Sequence, residues 1–313
     1  FMEIEFERTA KTSGDTDNRQ GEVEVEQGWV EYSISEYMKP RFGVILVPFG
    51  RFNLEHFDPT QDLTDRPLLA HRVVPTGWAE AGAGFTGSTF LGRDMEGWFK
   101  DVNLDYQFFV VNGLTNEFTD TGSRDARGAY GSDNNNNKAV VGRLQLTPFA
   151  GQEFGISGYY GKYDTGGHAV NGLDLDGKLT KGPFEFIGEY AAFALEEGVF
   201  ELDGTTTVPG HLNGYFVEAR YHFWFDSLNN TFLGRGFADP KFTWAVRHEE
   251  AAIDDDGDAN TDPNKEYRQT IGFNYRPSET FVYKFEYQFN HTTNEPLEHG
   301  NRDGFIGSVT AAF

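Results

Sequence analysis

The segment Phe281-Val282-Tyr283-Lys284-Phe285-Glu286-Tyr287-Gln288-Phe289-Asn290 decides the fold. Phe281, Tyr283, Phe285, Tyr287 and Phe289 recur at every second position, with Lys284, Glu286, Gln288 and Asn290 between them. Side chains of an extended chain point alternately to two faces, so this is a strand with one aromatic face and one polar face. The design returns on either side. Tyr267, Gln269, Ile271, Phe273 and Tyr275 alternate with Arg268, Thr270, Asn274 and Arg276, and Phe305, Gly307, Val309, Ala311 and Phe313 oppose Ser308 and Thr310. Tyr215, Val217, Ala219, Tyr221 and Phe223 alternate with Glu218, Arg220 and His222; Val102, Leu104, Tyr106, Phe108 and Val110 alternate with Asp101, Asn103, Asp105 and Gln107. Strands are predicted near 1–9, 22–34, 40–49, 79–91, 97–112, 138–149, 152–163, 168–179, 183–195, 211–224, 241–250, 266–277, 280–291 and 303–313, about fourteen in all.

Composition narrows what such a sheet can be. The 313 residues carry 26 Lys+Arg against 49 Asp+Glu, a formal charge of −23, which argues against nucleic acid as a partner. Cysteine is absent, so disulfide scaffolds, thiolate metal sites and cysteine nucleophiles are excluded. Thirty Phe, 14 Tyr and 5 Trp stand beside 37 Gly and only 3 Met, a balance that favours strands over helices. Mean hydropathy is −0.54 and no apolar run approaches eighteen residues, which excludes a spanning helix. A spanning barrel is untouched by that test, because its apolar surface occupies every second residue. The length is compatible with a single barrel domain over 1–313, and Phe1 opens inside a strand, as if residues were missing before it.

The breaks between strands add a second pattern. Short ones at 35–39, 92–96, 150–151, 181–182 and 277–278 alternate with long ones at 10–21, 50–78, 113–137, 196–210, 251–265 and 292–302. Breaks at 164–167 and 225–240 depart from it. Outer-membrane barrels have this asymmetry, with short periplasmic turns and long extracellular loops. A soluble β-sandwich also alternates, but its core mixes Val, Ile and Leu, whereas these faces are dominated by Phe and Tyr. Trp29, Trp78, Trp98, Trp224 and Trp244 fall near strand ends, where an interfacial aromatic belt would place them. The expectation is an all-β, antiparallel up-and-down transmembrane barrel of 14–16 strands. Phe313, closing the last strand, resembles the carboxy-terminal aromatic signal read by the barrel assembly machinery, which implies the outer membrane of a Gram-negative-type bacterium.

Residues 41–84 are the most specific stretch. They read Arg41-Phe-Gly-Val-Ile-Leu-Val-Pro-Phe-Gly-Arg-Phe-Asn-Leu-Glu-His56, then Asp58-Pro59, Asp62-Leu-Thr-Asp-Arg-Pro-Leu68, and Trp78-Ala-Glu-Ala-Gly-Ala-Gly84. A strand ending in Val-Pro-Phe-Gly, a loop with Asp-Arg-Pro and a return through Trp and small residues resemble the phosphate-selective porin O/P-like family. That resemblance implies a trimer of barrels, commonly of sixteen strands, passing small anions or general solutes; about fourteen strands are counted here.

In a pore, function resides in the charge and width of the lumen. Loop 50–78 is too long for a bare connection, and the strand before it, Val44 to Phe49, is apolar on both faces, so the loop is expected inside the barrel. Its Arg51, His56, Arg66, His71 and Arg72, beside Asp58, Asp62 and Asp65, form the expected constriction, with the arginines giving an anion preference. The alternative is a surface lid held by its own salt bridges. The lumen wall is assigned to Glu24, Glu26, Asp101, Asp105, Arg143, Glu153, Glu185 and Glu189 on an acidic side, and to Arg220, Arg247, Arg268, Arg276 and Lys284 on a mixed to basic side. Those charges either make a transverse field or only balance locally.

Asp254, Asp256, Asp258, Asn260 and Asp262 offer hard oxygen ligands suited to calcium, although the spacing misses an EF-hand and a solvated acidic loop is the favoured reading. Acidic outer loops could also hold divalent ions that bridge lipopolysaccharide or steady a trimer. Eight scattered His and the lack of Gly-x-Ser-x-Gly leave no catalytic constellation, so no enzyme is expected. The sequence therefore reads as a porin, trimeric among outer-membrane lipid, passing ions and small hydrophilic solutes passively. The competing reading is a structural barrel, a sheath or scaffold in an envelope or electron-transfer complex.

Overall fold

The computed structural model describes residues 1–7, 22–92, 97, 100–119, 121–127, 138–196, 199–200, 206–254, 264–293 and 303–312. The strands are β1 Met2–Glu7, β2 Glu22–Glu31, β3 Lys39–Leu46, β4 Ala79–Leu91, β5 Val102–Val111, β6 Ala139–Phe149, β7 Gln152–Lys162, β8 Ala169–Lys181 and β9 Phe184–Leu195. After a two-residue hairpin, β10 Val199–Phe200 and β11 Thr206–Thr207, come β12 His211–Phe223, β13 Lys241–Asp254, β14 Asn264–Ser278, β15 Phe281–Thr292 and β16 Gly304–Ala311. Fourteen of these form one antiparallel sheet in which each strand pairs with its neighbours in the chain, β10 and β11 standing apart. That is up-and-down order. Among the described residues no ladder joins β1 to β16. The segment between β3 and β4 nevertheless bonds Glu26 of β2 through His56 and Ser308 of β16 through Thr64. The sheet curls around that segment, which holds both of its ends.

Burial runs opposite to that of a soluble protein. On β9, Phe184, Phe186 and Tyr190 are exposed while Glu185 and Glu189 are buried. On β15, Tyr283, Phe285, Tyr287 and Phe289 are exposed while Lys284, Glu286 and Gln288 are buried. Each exposed ring in water would forfeit about 1.5–3 kcal/mol of burial. Lipid removes that cost, and a closed sheet is the β-architecture that crosses lipid without unpaired backbone. The outward surface ends in a belt of touching rings, where Trp224, Phe242, Tyr275 and Tyr283 stack in sequence at 4–40° between planes. This is the interfacial belt at the short-turn end. No described helix is long and apolar enough to cross a membrane.

Two expectations need correction. The strand predicted from 97 begins at Val102, because Asp101 takes φ 55° in an exposed turn; Asp101 is therefore not a lumen-wall residue. Trp78 is not a belt residue. It is fully buried inside, and Trp29 also lies on the inner face, packed against the same interior cluster. Trp224 and Trp244 do face outward, and Trp98 lies outside the described residues.

Candidate pore and its inward loop

The chain leaves β3 through Val47-Pro48-Phe49-Gly50. Gly50 takes φ 79°, and a Cβ there would lie 2.6 Å from Glu189 Oε1, so only glycine lets the backbone turn inward at this point. A single turn of helix follows, α1 Arg51–Leu54. Asn53 of that turn closes the loop at its neck: its Nδ2 donates to Val47 O at 2.9 Å, and its Oδ1 accepts from Trp78 N at 3.0 Å. The chain then passes a 3-10 turn at Asp58–Thr60 and a second short helix, α2 Leu68–Arg72, before Trp78 leads into β4. Glu249 accepts the Leu68 N–H at 2.5 Å, placing a carboxylate at the first turn of α2.

The barrel interior has two chemically distinct halves. Toward the long loops it is apolar. Phe49, Trp78, Tyr159 and Phe193 form a ring cluster with centroids 5.0–6.4 Å apart. Leu69, Val73, Leu212 and Ile253 extend it, together with Leu114, Phe118 and Ala126 of the 112–127 segment. The rest of the interior is ionic, below that cluster and, beside β14–β16, up to the long-loop end, and nearly every described charge there has a partner. Arg51 donates to Asp176 at 2.9 Å and reaches Glu55 at 2.7 Å and Glu153 at 2.8 Å. Asp62 meets Arg276 at 3.0 Å and Arg220 at 3.4 Å. Asp65 meets Arg268 at 2.6 Å and accepts from Gln288 at 3.1 Å; Arg72 forks onto both oxygens of Glu266 at 2.8 and 2.9 Å. Lys284 donates to Asp58 O at 2.8 Å, and Arg247 to Asp65 O at 3.0 Å. The loop is thus inside the barrel, tied to β8, β9 and β12–β15 by charge and to Ser308 of β16 by a hydroxyl hydrogen bond. Much of the wall's charge is balanced locally, including Arg143 on Asp176 and Glu185 on Arg220.

Glu26 reaches the loop by a backbone device. Glu3 pairs with Gln27 and Ile4 with Val25, so Glu26 is the extra residue of a β-bulge, which re-aims its carboxylate to His56. Burial pushes the His56 imidazole down, but the Glu26 hydrogen bond and charge outweigh it and hold it above its ordinary value. A group raised on folding contributes fully below the unfolded value and loses that contribution as pH rises through the folded one. Raising pH from 6 to 8 should therefore weaken the wild-type loop contact, and H56Q should remove that part of the dependence; equal pH profiles for the two proteins would refute it. Asp65 is likewise held far below the usual carboxylate range, since His71, Arg268 and Gln288 outweigh its burial.

The structure gathers most of the expected constriction residues, in different roles. Arg51 and Asp62 are buried anchors, His56, Asp65, His71 and Arg72 are partly buried, and Asp58 is exposed. Arg66 is partly exposed beside Glu26 and His56, and is the loop arginine with no ion pair among the described residues. Of the expected wall, Glu26, Asp105, Arg143, Glu153, Glu185, Glu189, Arg220, Arg247, Arg268, Arg276 and Lys284 lie on inner faces. The side chain of Glu24, the calcium candidates beyond Asp254, and Phe313 lie outside the described residues. Asp254 ends β13. Sequence reasoning missed Asp174 and Asp176, though Leu173-Asp174-Leu175-Asp176 carries the same alternation. It also missed that the 112–127 segment enters the interior.

Solvent reaches the interior on the side facing β2–β7. Glu55 and Glu153 are 49% and 32% exposed, and Asn103, Asp105, Gln107 and Gln145 line the inner face beside them, partly exposed. At the long-loop end a cavity of about 690 Å³ is lined by Asp65, His71, Arg72, Arg268, Asn290 and Asp303, with Arg124 and Asp125 from the 112–127 segment.

No family model matches this chain. An uncharacterised protein of Aquifex aeolicus is 33% identical over 115 residues, 37% of this chain and 23% of that one, so the chain spans about a quarter of that relative. Two structures of OmpT, an outer membrane protein of Vibrio cholerae, share the fold. The loop L8 deletion mutant superposes over 92% of this chain and 80% of its own, with TM-score 0.51 at 9% identity. The outer-membrane-expressed form covers 86% and 71%, with TM-score 0.50 at 11% identity. With its lipid-facing outer surface, the chain is an outer-membrane β-barrel.

Proposed function

We propose that the chain is a porin, a passive channel for ions and small hydrophilic solutes, related to the phosphate-selective group that residues 41–84 resemble. One observation carries this reading: a loop is pinned inside the barrel by ion pairs, most of them with β8 and β12–β15, while the inner face along β2–β7 stays partly exposed. An inward loop that narrows a water-filled barrel is a filter. It also occupies the space a sheath would need for its cargo, which disfavours the structural-barrel reading.

The charge of the wet side sets the selectivity. An anion preference required Arg51, Arg66 and Arg72 at the narrowest point. Arg51 is 3% exposed and shared among three carboxylates, and Arg72 is forked onto Glu266, so neither presents free positive charge. Glu55, Asp105 and Glu153 line the wet side instead, against Arg66 and the Arg41–Glu31 pair. We therefore assign a cation preference. Purified protein in a planar bilayer under a KCl gradient should give stepwise openings and a reversal potential of the sign that potassium permeation dictates. The triple variant E55Q/D105N/E153Q should shift that potential toward zero. Folded protein that gives no steps would overturn the porin reading, and a chloride-signed potential would overturn the cation assignment. The same reading takes the working form as a homotrimer among lipid and lipopolysaccharide, assembled by the barrel machinery, with calcium in the outer acidic loops as a further proposal.

A further inference from the structure

The anchor at the start of the loop contains a charge imbalance. Asp174 and Asp176 of β8 and Glu189 of β9 are buried on the inner face, with Arg143 of β6 and Arg51 of the loop as their cations. Asp176 takes the close bonds, from Arg51 Nε at 2.9 Å and Arg143 Nη1 at 2.5 Å. Arg143 stands 3.8 Å from Asp174, too far for a hydrogen bond. Both oxygens of Asp174, Oε1 of Glu189, Nη2 of Arg51 and Nε of Arg143 have no partner and are out of solvent. These are five of the eight such atoms among the described residues. Glu189 stands opposite Asp176 across the β8–β9 ladder, and Asp174 is the next inward residue of β8. Two ionised carboxylates are acceptors only and cannot satisfy one another.

The count closes with one proton. Three buried carboxylates against two guanidiniums leave an excess of one negative charge. The other charges facing the cluster, Glu55 of the loop and Glu153 of β7, are also acidic and only share Arg51. We propose that Asp174 and Glu189 form a proton-binding site, one shared proton latching the inward loop to β8 and β9. The latch is direct, because the other Glu189 oxygen accepts the Phe52 N–H at 2.8 Å and Gly50 passes against the same carboxyl. Loss of the proton leaves two like charges close together in a buried site, and the first turn of the loop moves away from the wall.

The sign follows: the latch holds at low pH and releases as pH rises. Asp174→Asn supplies an N–H to Glu189 in place of the proton and should hold the latch at every pH. Two readouts need no conduction. Infrared spectra of the folded protein should show a protonated carboxyl stretch at pH 6 that fades toward pH 9 and is missing in D174N. The heating midpoint for unfolding should fall by several degrees over that range in the H56Q background and stay level in H56Q/D174N, which separates this site from His56. In bilayers, loop-release events should rise by up to about tenfold per pH unit, the slope of a one-proton linkage, and lose that slope in D174N. A missing protonated band at pH 6, or equal heating profiles with and without D174N, would overturn the latch. Folded protein that shows band and profile but no openings would overturn the porin reading and leave the latch standing.

Discussion

Asp62→Ala should lose about 3–5 kcal/mol of stability, the cost of breaking a buried ion pair from one side, and should raise single-channel conductance several-fold. Asp62 is 5% exposed and lies where β12 and β14 meet the loop. Its carboxylate meets Arg276 of β14 at 3.0 Å and Arg220 of β12 at 3.4 Å, and accepts from Asn274 Nδ2 at 2.9 Å. Removing it leaves Arg220 with Glu185 and Glu218 but Arg276 with backbone carbonyls alone, and the middle of the loop loses its carboxylate tie to the wall. Burial alone would raise this carboxyl, but Arg220 and Arg276 outweigh it and hold it below the usual carboxylate range. Its contribution is therefore complete above the unfolded carboxylate value and is lost only as pH falls through the lower folded one. Urea unfolding followed by tryptophan fluorescence at pH 7 measures the first effect, and bilayer conductance the second. An unchanged urea midpoint would mean the loop is held by its apolar half alone.

Many strands could be read directly because alternation is a local property: β5, β12, β14, β15 and β16 each appear in the sequence as a period-two run. The inward loop could also be read, since Val44 to Phe49 is apolar on both faces and something must cover the inner one. Pairing could not. Arg51 finds Asp176 and Arg268 finds Asp65 only because the sheet curls, and those partners lie 125 and 203 positions apart. Without that geometry the loop arginines looked like the lining of an anion filter, whereas folding spends two of the three on carboxylates. Glu26 was placed in the lumen by simple alternation, but its contact with His56 depends on a bulge. Trp78 misled for the converse reason. A tryptophan at a strand end suits a membrane belt, and its interior position depends on Tyr159 and Phe193, which are remote in sequence.

Trp78→Ala should cost about 3–5 kcal/mol, as expected for deleting a large buried aromatic side chain. The ring is fully buried among Phe49, Tyr159 and Phe193, and its Nε1 donates to Glu80 Oε1 at 3.1 Å. Its own backbone N–H is held by Asn53, so the residue fixes the apolar half and the neck of the loop together. Truncation leaves a cavity that the curved sheet cannot collapse into, and withdraws a donor from a buried carboxylate. The proper comparison is Trp244→Ala, the same deletion from a ring that is 49% exposed on the lipid face, where acyl chains fill the space left behind. The W78A urea midpoint should fall well below both wild type and W244A, while W78F, which keeps most of the volume and loses the N–H donor, should fall between. If W78A and W244A lose equally, the interior rings are not a packed core, and the ion pairs alone keep the loop inside the barrel.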